Sequence, residues 1–283
     1  MTVLEGIQKS TEFLAKKDVE SPRLQAELLL AHVLKLSRMK LYLNFERTLT
    51  AAETDALREL IKRRSQREPL QHIVGSTSFC GLEIAVNRNV LVPRPETEIL
   101  AEAGWSFLST INSQPSTALD FGTGSGCIAI ALAVKCPGAN IVALDVSAEA
   151  LETAKQNAVR NDVADRIEFV QGDGFPAPQN NPALFDLIIS NPPYIPTAEI
   201  ETLDPEVRDY DPRGALDGGA DGLDFYRRFA VEARAFLKPG GKIMLEFGDG
   251  QGEAIRKIFE EQNWIVEAIR EDYTQRQRIL IAK

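Results

Sequence analysis

The chain has 283 residues, 44% hydrophobic and 26% charged, with a formal net charge of −9, which is the profile of a soluble globular protein of one large or two moderate domains. No apolar run approaches the length of a bilayer-spanning helix, and the opening Met1-Thr2-Val3-Leu4-Glu5 lacks the basic-then-apolar pattern of a signal peptide. Cys80, Cys127 and Cys136 form no CxxC pair and the only histidines are His32 and His72, so neither a disulfide framework nor a metal site is expected and a reducing, cytoplasmic setting is.

Residues 1–70 read as a small helical bundle. Thr2-Val3-Leu4-Glu5 and Thr50-Ala51-Ala52-Glu53 both match the capping box, in which Thr and Glu satisfy each other's orphan N–H groups. Ser21-Pro22 places a cap before a proline at the first helical position. Leu24, Leu28, Ala31 and Leu34 then recur at helical spacing, as a core face would. This part carries +3 from thirteen basic and ten acidic residues, whereas the remainder carries −12. Arg58, Lys62, Arg63, Arg64 and Arg67 crowd one helix, either as a solvated face or as a partner-binding one. No chemistry is visible here, and the change of charge sign marks a domain boundary.

Residues 71–90 change period. Ile73, Ser78-Phe79-Cys80 and Leu82-Glu83-Ile84-Ala85-Val86 suggest a β-hairpin linker, with Gly75 and Gly81 at turns or bulges. A second, larger domain over 91–283 follows. It begins with Leu91-Val92-Pro93-Arg94-Pro95-Glu96-Thr97-Glu98, which opens a helix running to about Leu108; Pro95 suits its start and Glu96 and Glu98 complement its dipole. Strands are then expected at Thr117–Phe121, Asn140–Asp145, Ile167–Gln171, Phe185–Ser190 and Lys242–Phe247. Helices lie between them, notably Ser147–Asn161 and Leu223–Leu237. That alternation predicts an α/β fold with a parallel sheet covered on both faces. After a helix over Gly252–Gln262, Trp264–Arg270 and Arg276–Ala282 should form an antiparallel pair on the sheet edge.

Two loops carry the chemistry. Asp120-Phe121-Gly122-Thr123-Gly124-Ser125-Gly126 follows the first strand of the sheet and opens a helix. Its glycines allow a ligand close to the backbone, and the helix start offers free N–H groups. The spacing is GxGxG, not the GxGxxG of dinucleotide sites. The second strand ends in Asp145, where a carboxylate can accept from ribose hydroxyls. Asp173, in Gln171-Gly172-Asp173-Gly174, can accept from an adenine amino group. Cys127 stands at a helix start, where a thiol pKa can fall, but with no base beside it a small packed residue is the expectation.

The second loop is Ser190-Asn191-Pro192-Pro193-Tyr194, at the end of the apolar run Phe185–Ile189. Prolines fix φ, hold Asn191 and Pro192 out of helix and remove two donors, so local carbonyls face outward beside the Asn191 amide. A rigid acceptor pair at the carboxyl end of a strand suits a planar amino group. Hydride transfer has no use for such a pair, which favours S-adenosylmethionine over NAD.

Asp120–Gly126, Asp145 and Asn191–Tyr194 together resemble the Rossmann-like class I methyltransferases that act on planar amino groups. Glu68-Pro69-Leu70-Gln71-His72-Ile73-Val74-Gly75, Phe79, Leu91–Glu98 and Ala215-Leu216-Asp217-Gly218-Gly219-Ala220-Asp221-Gly222-Leu223 narrow this. In that order they resemble the bacterial release factor glutamine methyltransferases (the PrmC/HemK family), over essentially the whole chain. His72 stands where that family frequently has Tyr, and Gly174 where it can have Trp. The resemblance implies a small N-terminal helical domain and a methyltransferase sheet. It implies methyl transfer to the glutamine of the Gly-Gly-Gln motif of class I release factors, with S-adenosylhomocysteine as the second product and no metal. It implies that Gly122, Thr123, Gly124, Ser125, Gly126, Asp145 and Asn191 contact or line the cofactor site, joined by Asp173 and Gly174. Asn191, Pro192, Pro193 and Tyr194 would hold the substrate amide, with Asn191 and Pro192 accepting its hydrogens and Tyr194 packing on its plane. The bundle would dock the protein substrate, and Gly218–Gly222 would be a flexible loop at the mouth. Arg94, Glu96 and Glu98 stay open between site entrance and helix capping. The rival readings are a nucleic-acid adenine-type amino methyltransferase, disfavoured by the −12 charge of the catalytic part, an NAD-dependent oxidoreductase, and a binding module without catalysis.

Overall fold

The computed structural model describes residues 1–111, 115–175 and 184–283. In chain order the first elements are α1 (Val3–Ala15), α2 (Pro22–Leu34), α3 (Arg38–Tyr42), α4 (Ala51–Ser65) and α5 (Leu70–Val74), then the hairpin β1 (Ser76–Phe79) and β2 (Leu82–Ala85). α6 (Pro95–Leu108), β3 (Ser116–Phe121), α7 (Cys127–Lys135), β4 (Ala139–Asp145), α8 (Ala148–Arg160), β5 (Ile167–Gln171) and β6 (Phe185–Ser190) follow. The chain closes with α9 (Pro205–Arg208), α10 (Asp224–Glu232), β7 (Leu237–Glu246), α11 (Gly252–Glu261), β8 (Val266–Glu271) and β9 (Gln277–Ala282). It divides into two compact units, one of Met1–Ser76 with Asp204–Tyr210, the other of Thr77–Leu203 with Asp211–Lys283. Among the described residues no helix is long and apolar enough to cross a membrane.

In the first unit, α1 and α4 each start in a complete capping box, Thr2 with Glu5 and Thr50 with Glu53. Ser21 does not cap: it sits in the left-handed region and its side chain makes no bond to the helix, although Pro22 does take the first helical position. The core face of α2 also differs from the expected one. Ala26, Leu29, Leu30 and Ala31 are buried, while Leu24 is exposed. α2 is apolar on most of its circumference, so periodicity could not choose a face, and packing against both α1 and α4 did. Ile73 belongs to the short helix α5, not to the hairpin. The basic run is mostly neutralised within the unit. Arg63 pairs with Glu68 at 2.7 Å, and Arg64 and Arg67 both reach Glu206 at 2.6 Å. The Arg64 side chain is only 4% exposed. Three of the five cations are therefore paired with acids of the same unit, and Arg64 lies inside it.

In the second unit the sheet order is β5-β4-β3-β6-β7-β9-β8, parallel through β7, with β9 antiparallel to β7 and β8 antiparallel to β9. The expected edge pair is present, and β7 begins five residues earlier than the Lys242 start expected for it. Hydrophobic side chains from α6, α7, α8 and the hairpin cover one face, and α10 and α11 cover the other. Both faces being covered explains why every residue of β6 is buried. In the hairpin turn, Cys80 and Gly81 both take positive φ, 51° and 78°, as a two-residue turn matching the strand twist requires. Asn157 of α8, fully buried, holds β2 by bonds to the Ala85 N–H and carbonyl, and its Nδ2 also reaches the Ser125 carbonyl at 2.9 Å.

The chain builds β3, β4 and β5 outward in one direction, then returns to place β6 on the other side of β3. At such a reversal the connections leaving neighbouring strands part to opposite faces and open a crevice at the carboxyl ends. The crevice here lies between the turns after β3 and β6, which are the two loops singled out above.

Candidate functional site

A cavity of about 330 Å³ occupies that crevice, within the second unit. Gly122, Gly124 and Asp145 line one side, and Asn191, Pro192 and Pro193 another; Gly172 and Asp173 contribute on the β5 side, and Asn89, Val90 and Phe225 are among the other lining residues.

The glycine loop is held from below. Asp120, at the end of β3 and wholly buried, accepts at Oδ2 from the Thr123 hydroxyl (2.6 Å) and from the Ala129 N–H (3.0 Å). Burial pushes its carboxyl up to about 7 despite those two bonds, with the Asp145 charge adding to the rise. The Gly122 and Thr123 N–H groups both donate to the Leu144 carbonyl, at 2.8 and 2.9 Å. Gly122 and Gly124 take φ of +71° and +54°, and a Cβ on either would meet nothing within 4 Å. The loop therefore offers bare backbone to the cavity, in a conformation that strongly favours glycine. Thr123, Ser125 and Gly126 are outside the lining: Thr123 and Ser125 are buried beneath it and Gly126 caps α7. Asp145 ends β4 with Oδ2 on the Gly124 N–H (2.8 Å) and Oδ1 on the Ser147 N–H (2.9 Å), leaving further lone pairs on both oxygens.

Asp173 reaches the lining, but its carboxylate is 81% exposed and faces Arg228 at 3.3 Å. Gly174 is not in the lining; a Cβ there would lie 2.7 Å from the Arg228 guanidinium. That position makes room for an arginine and does not contact the cavity. Cys127 is buried, and burial followed by the Asp120 charge pushes its thiol up, which is the packed residue expected and not an activated one.

The proline loop is anchored on both sides. The Ser190 hydroxyl donates to the Phe121 carbonyl at 2.6 Å, tying β6 to β3 where the two loops part. The Asn191 Nδ2 donates to the Thr97 hydroxyl of α6 at 3.1 Å. With that nitrogen engaged, Oδ1 is the end of the carboxamide left to accept. Tyr194 does not line the cavity. Its ring packs into the core cluster shared with α10 and α11, and burial pushes its phenol up to about 12. Its carbonyl accepts from the Gln251 Nε2 at 2.9 Å. The expectation that Tyr194 covers a substrate amide is not matched by this position, because its ring packs against the core cluster instead of the cavity.

Gly218–Gly222 is a packed support, not a flexible mouth. The Ile195 N–H donates to the Leu216 carbonyl and the Gly218 N–H to the Ile195 carbonyl, both at 2.9 Å. A Cβ on Gly218 would lie 2.8 Å from the Pro193 carbonyl oxygen and 2.8 Å from the Tyr194 Cα. The segment runs directly against the backbone of the proline loop, and glycine permits that approach.

The residues around Leu91–Glu98 divide by role. Arg94 pairs with Asp211 at 2.7 Å, and Asp211 also accepts from the Val92 N–H at 3.5 Å; Pro212, the residue after it, lines the cavity. Burial pushes the Asp211 carboxyl up to about 6 against the opposing pull of Arg94. Glu98 accepts from the Cys80 N–H at 2.7 Å and so holds the hairpin turn. Sequence reasoning did not single out Thr97, Asp211, Asn157, Arg228 or Glu246. Only Glu246 had a usable signal, as a lone acid in the apolar run Lys242–Phe247.

Residues 5–75 match the family described as PrmC N-terminal domain, and residues 100–203 the one described as methyltransferase small domain. A release factor glutamine methyltransferase of Geobacter sulfurreducens is 45% identical over 260 residues, covering 91% of this chain and 88% of the relative. One from Nitratidesulfovibrio vulgaris is 40% identical and covers 99% of this chain and 95% of its own length. Among solved structures, a methyltransferase from Pyrococcus furiosus superposes with a TM-score of 0.53 at 24% identity, over 78% of this chain and 97% of that one, a likeness of fold alone.

Proposed function

The chain belongs to the release factor glutamine methyltransferase family, and we propose the substrate, cofactor and residue roles that follow from its cavity. The protein methylates the side-chain amide nitrogen of the glutamine in the Gly-Gly-Gln motif of class I peptide chain release factors, in support of translation termination. The observation that carries this is the meeting, in one crevice, of a bare glycine loop with Asp145 on one side and the Asn191-Pro192 acceptors on the other.

The residues present fit S-adenosylmethionine. Gly122 and Gly124 leave open the space that side chains would fill, and Asp145 has lone pairs for two ribose hydroxyls. When bound, the cofactor supplies a methyl group on a sulfonium, which is transferred without a metal. Thr123, Ser125 and Gly126 serve the site by fixing the loop, and Gly172 and Asp173 border it near the adenine end.

An amide nitrogen is a poor nucleophile because its lone pair is delocalised into the carbonyl. The chain's task is therefore orientation. The Asn191 Oδ1 and the Pro192 carbonyl accept the two amide hydrogens, which fixes the nitrogen and directs its lone pair. Positioning of this kind is worth ~7–11 kcal/mol in favourable systems. Pro193 and the inward-turned Tyr194 hold the acceptor pair rigid. Among the described lining residues there is no His or Lys, so the departing proton passes to water. The cysteine pattern accords with a reducing compartment, and we assign the protein to the cytoplasm.

The test is transfer of radiolabelled methyl from S-adenosylmethionine to a class I release factor, with DNA, RNA and a release factor lacking the Gly-Gly-Gln glutamine offered alongside. Label on the intact release factor alone is expected. Label on nucleic acid, or equal label on the glutamine-less factor, refutes the reading.

A further inference from the structure

Next to Asn191 and outside the cavity lining lie buried polar side chains. Thr97 is 2% exposed and accepts from the Asn191 Nδ2 at 3.1 Å. Glu246, the last residue of β7, is also 2% exposed; β7 packs against α6, and the Thr97 hydroxyl is the group that most opposes the rise of the Glu246 carboxyl. Its Oε2 has no partner among the described residues. The Tyr226 hydroxyl donates to the Glu246 main-chain carbonyl at 2.7 Å and so pins the strand end, not the carboxylate. An ionisable group left this deep needs a reason, since burying it unpaired costs several kcal/mol in general.

We propose that Glu246 and Thr97 are positioning residues that set the polarity of the Asn191 carboxamide, and with it the acceptor the substrate amide meets. The inference rests on the reading of Asn191 given above. A threonine hydroxyl has one proton and two lone pairs. An ionised Glu246 can only accept, so it takes that proton. Thr97 is then left with lone pairs alone for Asn191 and must receive an N–H, which turns Oδ1 the other way. A protonated Glu246 donates to Thr97 instead. The Thr97 proton is then free to bond Oδ1, and the carboxamide can rotate to present its NH₂ group, which cannot accept the substrate's hydrogens.

The groups around Glu246 leave its charge state responsive. Burial raises its carboxyl to about 7, the Thr97 hydroxyl opposes that, Glu96 adds to the rise, and Arg278 and Arg94 pull it down. The Tyr194 and Tyr226 phenols, both raised by burial, are neutral in the same range. Arg278 is itself paired with Asp272 at 3.1 Å, which limits its pull.

Two measurements test this, one of them independent of substrate. In the full-length protein, the Asn191 side-chain NH₂ resonance, assigned by its loss in Asn191→Gln, should move with a midpoint near pH 7. The movement should vanish in Glu246→Gln. An Asn191 resonance flat from pH 5.5 to 8.5, or titrating identically in Glu246→Gln, overturns the proposal whatever the substrate proves to be. In the methyl-transfer assay, kcat should fall about tenfold per pH unit below that midpoint, and Glu246→Gln should flatten the limb. Thr97→Val should lower kcat at least tenfold with the cofactor Kd unchanged, and Thr97→Ser should restore it. Failure of Thr97→Ser to rescue, with the fold intact, also counts against the relay. Wild-type protein that titrates as described but does not label a release factor would refute the substrate reading and leave the relay standing.

Discussion

Replacing Gly218 by alanine probes how closely the acceptor loop is positioned, without touching a cavity residue. The new Cβ would stand 2.8 Å from both the Pro193 carbonyl oxygen and the Tyr194 Cα, and 2.9 Å from the Gly222 Cα. All three are backbone atoms, so no flexible side chain can swing aside. Ordinary contact for a Cβ begins near 3.4 Å, so one backbone segment must move by about 0.6 Å. Overpacking of this size costs ~1–3 kcal/mol of stability. Its effect on rate should be larger, because a displacement approaching ~1 Å at a positioning group costs on the order of 100-fold. The Asn191 side stays tied to Thr97, so the shift falls on the Pro193–Tyr194 backbone and tilts the neighbouring Pro192 carbonyl. We expect kcat for release factor methylation to fall ~30- to 100-fold, by the same positional argument, while the S-adenosylhomocysteine Kd by calorimetry changes less than about threefold. The assay is single-turnover methyl transfer at saturating cofactor, on protein shown to be folded by circular dichroism. A kcat within a factor of two of wild type would refute the argument that this contact sets the acceptor geometry.

Asn191→Ala should cost ~10²–10³ in kcat, as loss of one preorganised polar group does, with little change in cofactor Kd; near wild-type turnover would sink the acceptor model. Asp145→Ala should weaken cofactor binding roughly 10- to 100-fold, a hydrogen bond to a charged group being worth ~1.5–3 kcal/mol, and an unchanged titration would remove Asp145 from the site. Glu206→Ala should destabilise the first unit by about 2 kcal/mol, less than the ~3–5 of a fully buried pair because Gln25 and the Glu68 carbonyl still bond Arg64; urea unfolding of the full chain reads it. Burial opposes ionisation of Glu206, but bonds from Arg67 and Arg64 prevail and hold its pKa below the usual 4.5. The stabilisation should thus be complete above that pH and fade as acid protonates the folded carboxyl, so wild type and Glu206→Ala should converge in stability at low pH. Cys127, buried and with its thiol pushed up, should resist iodoacetamide at pH 8 in the native state; stoichiometric labelling at the rate of an exposed thiol would show the helix start to be open.

Where the sequence was legible, local chemistry left little choice. The Thr-x-x-Glu boxes, the apolar strand ending in two prolines and the glycines opening α7 each act through neighbours a few residues away. Where reading fell short, several answers shared one local pattern. α2 is apolar nearly all round, so its buried face depended on two other helices. Arg63, Arg64 and Arg67 looked like a surface stripe until Glu68 and the distant Glu206 met them. Gly218–Gly222 has the composition of a mobile loop and instead packs on backbone more than twenty residues earlier.

The sequence alone settled the order of the strands of the large sheet and of the long helices between them, the two loops at strand ends and the glutamine methyltransferase resemblance, because these rest on propensities, capping and motif spacing within short windows. Tertiary structure decided that the ring of Tyr194 packs against the core, that Arg228 takes the Asp173 carboxylate, and that the Asn191 amide meets Thr97 while Glu246 is buried at the end of β7. Those outcomes depend on which distant side chains share a buried volume of low polarity, and a one-dimensional pattern of residues carries no record of that.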